Sequence, residues 1–338
     1  MKTYLKQIFF LLLITLSFSC SKDDDNQIKP ITDVYVVGEE FVGGKSIAKI
    51  WKNNEETPLT NGINNAGANS VYVVDNDVYV AGYESNGLKD IAKVWKNGVA
   101  IPLTNGINNA RANAVFVIGD DVYAAGYEIN GRKAAMIWKN VVATPLTDGK
   151  QSAEAKSLFI VGNNVYAVGF VEDAFNGIER PNAKLWENGT QIDLTNTDQG
   201  ALANSVFVSG NDVYVVGTEV EGVVVAKLWK NNIETATIGG GNTVRIKSVF
   251  VSGNDVYACF TEFEGSKRVA KLWKNNVETT LSDGANIASA NAVFVLGTDV
   301  YVAGTDGNAS KIWKNGKETH LTDGTLKSSV NAVFVITN

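Results

Sequence analysis

The sequence predicts an all-β fold, a single seven-bladed β-propeller with four-stranded antiparallel blades, closed by a C-terminal strand that completes the first blade. Three observations predict it. A unit recurs along the chain, each unit contains four short strand-like segments, and the chain enters and leaves that unit at complementary positions. No segment after residue 20 has the pattern of a helix.

One tryptophan marks each unit of the repeat. Successive tryptophans are separated by 44, 43, 48, 43, 44 and 40 residues. Such a period is typical of propeller blades, which bury their faces only by stacking on their neighbours. The seven marker residues are Trp51, Trp95, Trp138, Trp186, Trp229, Trp273 and Trp313.

The strand-like segments of one unit are clearest in blade five, where strand A includes 205–208, strand B 211–215, strand C 226–230 and strand D 234–235. Strands A to C are rich in Val, Phe, Tyr and Trp and are bounded by Gly, Asn and Asp. Strands A and B are apolar on both faces, so both faces must be covered. The recurring aromatic residues are therefore predicted to be core.

The two ends of the chain predict how the ring closes. The chain enters at strand B, at 33–35, and leaves on an unpaired strand A, at 332–335. The numbers of A and B strands balance only if the ends meet in one blade. Pro58, Pro102 and Pro145 fall on the outermost strand, where a missing amide donor opposes pairing with another sheet.

The first residues predict export from the cytoplasm. Residues 1–19 combine Lys2 and Lys6 with an apolar run over 8–16, as in a secretory signal peptide. That run is too short for a spanning helix, which needs about 20 apolar residues. Residues 20–31 are polar and mostly acidic, which predicts a flexible tether, and 32–338 form the propeller. Cys259 is predicted to be a buried small hydrophobe.

Two resemblances refine the location. Ser17, Phe18, Ser19 and Cys20 resemble a bacterial lipobox, which implies lipidation of Cys20, and the run 21–26 resembles the export tag of lipoproteins sent to the cell surface. The elements Asp-Val-Tyr-Val-Ala-Gly (77–82) and Trp-Lys-Asn-Gly (95–98) resemble propeller repeats of bacterial surface lipoproteins. The resemblance implies a fold and an outer-membrane, surface-exposed location, with the periplasmic face as the alternative, but no activity.

The variable face of the propeller is the predicted binding face. The A–B and C–D turns are nearly uniform, and every C–D turn starts with Asn, which suits type I′ hairpins. The B–C and D–A connections on the opposite face vary in length and charge. The candidate ligand contacts there are Arg111, Glu154, Lys156, Arg180, Arg245 and Lys247.

One aligned position before each strand A predicts a polar collar around the central channel. It holds Asn69, Asn113, Lys156, Asn204, Lys247, Asn291 and Asn331. The alternative is that each Asn bonds the backbone of its own loop. A ring of acids after strand B either holds an oxygen-ligated ion such as calcium or pairs with the strand C lysines. We expect the pairing, because one acid per blade spreads the carboxylates too widely.

The sequence favours binding over catalysis. The net charge of −6 argues against nucleic acid. One histidine, His320, leaves little for a triad or a histidine metal site. We predict a monomeric propeller without cofactor that binds a glycan or a protein. The alternatives are a glycosidase or lyase using Glu154, Glu172, Asp173 or Glu179, and a docking subunit recognised by an apolar rim.

Overall fold

The computed structural model describes residues 31–337 except Asn196 and 240–242. The predicted signal peptide, the lipidation site Cys20 and all of the tether except Ile31 lie outside the described residues. Outside these gaps, residues 31–337 include no helix, and so none that is long and apolar enough to cross a membrane.

Seven four-stranded antiparallel sheets form the blades, as predicted. Strand A of each blade lines the channel and strand D is outermost. Blade one consists of β1 (Thr32–Val42), β2 (Lys45–Lys52), β3 (Glu55–Pro58) and, as its strand A, β28 (Ser328–Thr337). Blade two is β4 (Ala66–Val74), β5 (Asp77–Ser85), β6 (Asp90–Lys96) and β7 (Val99–Pro102), and blade three is β8 (Ala110–Ile118), β9 (Asp121–Asn130), β10 (Arg132–Lys139) and β11 (Val142–Pro145).

The remaining blades follow the same order. Blade four is β12 (Ala153–Val161), β13 (Asn164–Phe175), β14 (Ile178–Glu187) and β15 (Thr190–Asp193), and blade five is β16 (Ala201–Ser209), β17 (Asp212–Glu221), β18 (Val223–Lys230) and β19 (Ile233–Ile238). Blade six is β20 (Thr243–Ser252), β21 (Asp255–Glu264), β22 (Lys267–Lys274) and β23 (Val277–Thr280), and blade seven is β24 (Ala288–Leu296), β25 (Asp299–Asp306), β26 (Ala309–Lys314) and β27 (Lys317–His320).

The ring closes as the termini predict. β28 pairs antiparallel with β1, and Val34 lies opposite Val335. The apolar residues of β28 complete the core cluster that joins blades seven and one, where Val333 packs with Trp51 and Ile312. The last strand therefore supplies both a sheet partner and an interface.

The core lies between neighbouring blades. In each cluster, the tryptophan of one blade packs against the face of the blade before it, as Trp138 packs against Tyr79 and Val94. All seven tryptophans are at most 5% exposed. Cys259 is fully buried, as predicted, and burial raises the pKa of its thiol to about 12.

The strand A aromatics form a closed ring around the channel. Their centroids are 4.6 to 5.1 Å apart from each blade to the next, with tilted planes that aromatic pairs favour. These residues are therefore core, as predicted. They are Tyr72, Phe116, Phe159, Phe207, Phe250, Phe294 and Phe334.

The uniform turns are fixed by the predicted asparagines. Each first residue of a C–D turn has a φ between 45° and 51°. Its side chain accepts a hydrogen bond from a strand B amide, as Asn97 does from Val78 at 2.8 Å, and donates one to the A–B turn, as Asn97 does to Asp77 at 2.7 Å. One residue type therefore joins two turns in every blade.

Candidate functional site

A β-bulge in every inner hairpin positions the collar. The register between strands A and B shifts by one residue in all seven blades, and the residue left unpaired is always the collar residue. A bulge redirects a side chain out of the pleat. In blade four, Lys156 is the unpaired residue, and a Cβ on the facing Gly169 would lie 1.8 Å from the carbonyl oxygen of Glu154. The glycine of the repeated motif thus permits the close approach.

Five asparagines of the collar hold neighbouring blades together. Each donates a hydrogen bond of 2.8 to 3.0 Å to a main-chain carbonyl of the next blade. The alternative that each Asn bonds its own loop is therefore wrong, because the acceptor lies across the blade interface. The pairs are Asn69 with Ala112, Asn113 with Ala155, Asn204 with Ile246, Asn291 with Val330, and Asn331 with Ala68.

Two lysines break this rule in blades four and six. Among the described residues, neither Lys156 nor Lys247 forms a hydrogen bond or an ion pair. Lys156 is half-buried and Lys247 is exposed, and the residues around the channel mouth remove part of the water from each ammonium group. This desolvation lowers the pKa of both ammonium groups, and neighbouring cations lower it further. Each lysine thus replaces a blade-to-blade bond with an uncompensated charge.

Two adjoining cavities open around these lysines. The first, of about 540 Å³, extends over blades four to six and is lined by Lys156, Arg180, Arg245 and Lys247. The second, of about 580 Å³, extends over blades six, seven and one, and its lining includes Arg245, Lys247, Arg268 and Lys327. They share Arg245 and Lys247. We call these six residues the basic cluster.

The charged side chains that line the two cavities are all positive. Neither lining includes an aspartate or a glutamate. Within the described part of the chain, none of the six cations lies within 4.0 Å of a carboxylate oxygen. The chain as a whole is acidic, with a net charge of −6, so this positive surface is local. The arrangement suits an anionic ligand.

Phe263 orients two of the guanidinium groups. Its ring centroid is 5.0 Å from Arg245 and 4.9 Å from Arg268. Cation–π contacts of this kind hold long side chains in place without neutralising them. Lys156 lies 5.8 Å from the ring centroid of Phe170 in the same way. These aromatics preorganise charge and leave it available to a ligand.

A second set of charges on the loop face is already neutralised. Arg111 pairs with Asp90 at 2.6 Å and stacks over Tyr83 at 3.7 Å. Lys133 pairs with Glu154 at 2.7 Å, and Asn113 donates to the same carboxylate at 3.0 Å. We call Asp90, Arg111, Lys133 and Glu154 the paired region.

The structure brings four of the predicted contacts together and separates two. Lys156, Arg180, Arg245 and Lys247 line the same cavity, whereas Arg111 and Glu154 belong to the paired region. Sequence reasoning missed Arg268 and Lys327. Lys327 had a signal, because the aligned residues 65, 109, 152, 200, 243 and 287 are all uncharged. Arg268 had no such signal in the sequence, because its role depends on its contact with Phe263, which only the structure shows.

The predicted pairing of the acids after strand B with the strand C lysines is confirmed in four blades, by Lys49 with Glu40, Lys93 with Glu84, Lys271 with Glu262, and Lys311 with Asp306. Blade three has Met136 in place of the lysine, and blade four uses Asp173 instead of an acid at the expected place. Lys184 lies 2.7 Å from Asp173 and 2.9 Å from Asp193, and Lys311 lies 2.8 Å from Asp306 and 2.9 Å from Glu318. In blade five, Lys227 pairs with Glu221 and Glu234 and not with Glu219, which is the acid at the predicted place after strand B. In the described part of the chain, no group of three or more His, Cys, Asp or Glu side chains could hold a metal ion.

The acids proposed for catalysis do not converge on either cavity. Glu154 pairs with Lys133, Asp173 with Lys184, and Glu179 with Arg132 at 2.7 Å. The Arg132 contact lowers the pKa of Glu179. His320 is exposed at the end of outer strand β27. Neither these acids nor Glu172 lines either cavity, whereas a pair of catalytic carboxylates needs a shared pocket.

An apolar groove of about 320 Å³ lies on the rim between blades two and three. Ile101, Leu103, Trp138 and Val141 contribute to its lining. Val141 has a φ of 64°, which is unfavourable for a β-branched residue. Asn54, Asn232 and Asn276 occupy this turn position in other blades, with similar φ values. The strain therefore presents an exposed apolar side chain where the other blades place Asn or Gly.

Comparisons with solved structures support the architecture. The β-propeller domain of the Trilobed protease from Pyrococcus furiosus matches with a TM-score of 0.52 and 11% identity, over 87% of this chain and 95% of that domain. That domain has an open velcro topology, whereas β28 closes the ring here. This likeness shows the propeller fold alone.

Two other structures match with lower scores. TolB from Acinetobacter baumannii has a TM-score of 0.48 and 11% identity, over 88% of this chain and 81% of that one. Chaetomium thermophilum Raptor has a TM-score of 0.46 and 12% identity, over 75% of this chain and 24% of that one. No protein-family model and no curated protein matches the chain.

Proposed function

We propose that the protein is a lipid-anchored, surface-exposed propeller that binds a glycan, without catalysis, over blades four to seven of its loop face. The observation that carries this proposal is the pair of acid-free cavities around Arg245 and Lys247. Five of the six cations of the basic cluster are exposed and Lys156 is half-buried, so they are open to a ligand, and like charges this close together attract an anion.

The shape of the site favours a glycan over a folded protein partner. Both cavities are concave and fall within the range of small-ligand sites, about 300 to 1,000 Å³. Their linings add neutral hydroxyl and amide groups, including Ser289, Thr305 and Asn286. A protein interface would present an apolar centre with aromatic anchors. Here the large aromatic residue, Phe263, is engaged by two arginines.

A glycan array tests this proposal. We expect the fragment 31–338 to bind at least one glycan, and the variant R245A/K247A to lose that binding. The matched control is K230A/K274A, which also removes two positive charges in blades five and six, but from exposed pairs with Asp212 and Asp255 on the turn face. Equal binding by both variants would place the ligand elsewhere, and no binding to any glycan would reject the glycan class.

Cys20 carries the proposed anchor, and membrane fractionation tests it. We expect the full chain to sediment with membranes and Cys20→Ala to be released into the soluble fraction. The control Cys259→Ala removes the other cysteine, which is buried in the blade core. Membrane association of Cys20→Ala would show that another feature attaches the protein.

The apolar rim groove supports a second candidate function, docking within an outer-membrane complex. A photo-crosslinking residue placed at position 141 should then form an adduct in intact membranes. The matched control is position 54, which has the same turn geometry in blade one but carries Asn. Adducts at neither position, or equally at both, would remove this candidate.

A further inference from the structure

We infer that the ligand of the basic cluster is an acidic oligosaccharide carrying at least two carboxylate or sulfate groups. This inference rests on the proposed function and specifies its ligand class. Three observations support it: the ion pairing of the strand C lysines, the two residues that both cavities share, and the hydroxyl and amide groups that line the second cavity.

The two lysines that recur in strand C are paired with carboxylates in every blade that has them. Each blade-core lysine of strand C contacts one to three carboxylates, and each lysine at the end of strand C contacts the aspartate of the A–B turn at 2.7 to 2.9 Å. Lys184 and Lys230 are examples. Single exposed cations such as Lys45, Lys89 and Lys317 also lack an ion pair among the described residues. The basic cluster differs because it brings six such cations to two adjoining cavities, where an anionic ligand would meet several of them at once.

The junction of the cavities indicates more than one anionic group. Arg245 and Lys247 belong to both linings, with Lys156 and Arg180 on one side and Arg268 and Lys327 on the other. A single anion in one cavity would leave the cations of the other unmatched. A chain that crosses the shared residues would supply an anion to each side. Each cavity alone has the size of a small-ligand site, so such a chain is an oligomer.

The neutral lining favours a saccharide over other polyanions. Hydroxyl groups of Ser289 and Thr305 lie 2.8 Å apart beside the cations, and amides of Asn286 and Asn308 join the same lining. Such groups match the hydroxyls of a sugar. Single-stranded nucleic acid would need free aromatic faces for base stacking. Phe263 offers none, because arginines lie over it.

The departures in the collar support the same conclusion. At Lys156 and Lys247 the fold gives up the bonds that Asn would make across two blade interfaces. Partial desolvation and nearby cations lower the pKa of both lysines against the opposing effect of Glu154, so the protein only partly offsets their charge. A bound carboxylate or sulfate would compensate it, with charge-assisted hydrogen bonds stronger than neutral ones.

The experiment compares acidic saccharides with their neutral counterparts. Hexamers of polygalacturonate, alginate, hyaluronan, chondroitin sulfate and heparin are titrated into the fragment 31–338 by calorimetry. The two polyuronates, polygalacturonate and alginate, are repeated as methyl esters, and the other three chains are repeated after carboxyl reduction and, where they carry sulfate, desulfation. We expect at least one acidic hexamer to bind, with its neutral form about ten- to a hundredfold weaker.

Two further arms separate the ligand classes. R268Q should weaken binding of the acidic hexamer about tenfold, since it keeps the size of the side chain and removes its charge. R132Q, on an exposed arginine paired with Glu179, is the matched control and should leave affinity unchanged. Poly-L-glutamate and single-stranded DNA of equal charge should bind at least tenfold more weakly than the saccharide.

The outcomes distinguish the inference from the proposed function. If a neutral glycan binds as tightly as its acidic form, or only neutral glycans bind, the inference fails and glycan binding stands. If poly-L-glutamate or DNA binds as tightly as the acidic saccharides, the saccharide class fails. If no glycan of any kind binds, both the inference and the proposed function fail.

Discussion

The paired region and the basic cluster present cations to the same face in two different ways. Arg111 and Lys133 each have a carboxylate partner within 2.7 Å, and Asn113 still makes its bond to the next blade. In the basic cluster, Arg245 and Lys247 have no such partner among the described residues, and the blade-to-blade bond is missing. The cations of the paired region therefore form stabilising contacts within the protein, whereas those of the basic cluster remain available to a ligand.

This contrast shows which blades make fewer stabilising hydrogen bonds to their neighbours. Five collar asparagines each contribute about 1 kcal/mol as net hydrogen bonds, on the scale usual for such contacts. Blade six departs furthest, because Phe260 replaces the glycine that faces the bulge in the other blades. Departures from a repeat's own rules concentrate where proteins carry function. Blade six is therefore the centre of the proposed site.

Removing one arginine from each region should show the largest difference. We expect Arg245→Ala to cost about 1.5 to 3 kcal/mol of binding free energy for an acidic hexamer, because it removes a charged contact with the ligand. Arg111→Ala should change affinity less than twofold, since Arg111 is held by Asp90. Calorimetry measures both. Equal losses would show that the ligand extends over the paired region.

Exchanging Lys and Asn in the collar should move stability and binding in opposite directions. Lys247→Asn restores a donor towards the carbonyl of Ala290 and removes a charge that is repelled by Arg245, so we expect about 1 kcal/mol of added stability in urea unfolding. The reciprocal variant, Asn69→Lys in blade two, should lose a similar amount, because Asn69 bonds Ala112. Binding should weaken in the first variant only. A lower free energy of unfolding for Lys247→Asn would contradict the conclusion that the collar asparagines stabilise the contact between neighbouring blades.

The fold could be predicted almost entirely from the sequence. Strand A aromatics, strand B tyrosines and strand C tryptophans recur at fixed places, and the unmatched strands at the two ends, 33–35 and 332–335, require each other. These are local signals that repetition amplifies. The bulge is not local, because it is defined by the register between two strands, and the carbonyl close to Gly169 is visible only in three dimensions.

The site could be predicted only in part. Lys156 and Lys247 stood out because the aligned residues are Asn, and they do line the cavities. Arg111 looked equivalent to Arg245, since both precede a strand A. Their difference arises from Asp90, which is 21 residues before Arg111 and meets it only across the blade interface. Charge pairing between blades depends on loop geometry that a repeat alignment does not contain.

Relieving the strain at Val141 tests whether the rim of blades two and three is specialised in its own way. We expect Val141→Asn to add about 1 kcal/mol of stability, because Asn tolerates positive φ and Val does not. Urea unfolding measures it, with Asn54→Val in blade one as the reciprocal control. Glycan affinity should stay unchanged in both. An unchanged or lower free energy of unfolding for Val141→Asn would show that Val141 is not strained in this turn.

The pH dependence of the two collar lysines should give the smallest effect and the most specific one. Lys156 faces Glu154, Lys133 and Lys247, and Lys247 faces Arg245, Glu154 and Cys259. Burial lowers the pKa of both lysines from 10.5, so the unfolded chain binds more protons between the lowered pKa values and 10.5. Stability of the free protein attributable to them should therefore rise with pH across that window.

Affinity for an acidic hexamer should change in the opposite direction over the same window. A bound anion favours the charged lysines, so binding should weaken as pH rises through their lowered pKa values, by a factor of a few for each proton lost. The variant K156N/K247N should show neither trend, and subtracting it removes contributions from tyrosines and the paired lysines. Parallel trends in stability and affinity would mean that these ammonium groups do not contact the ligand.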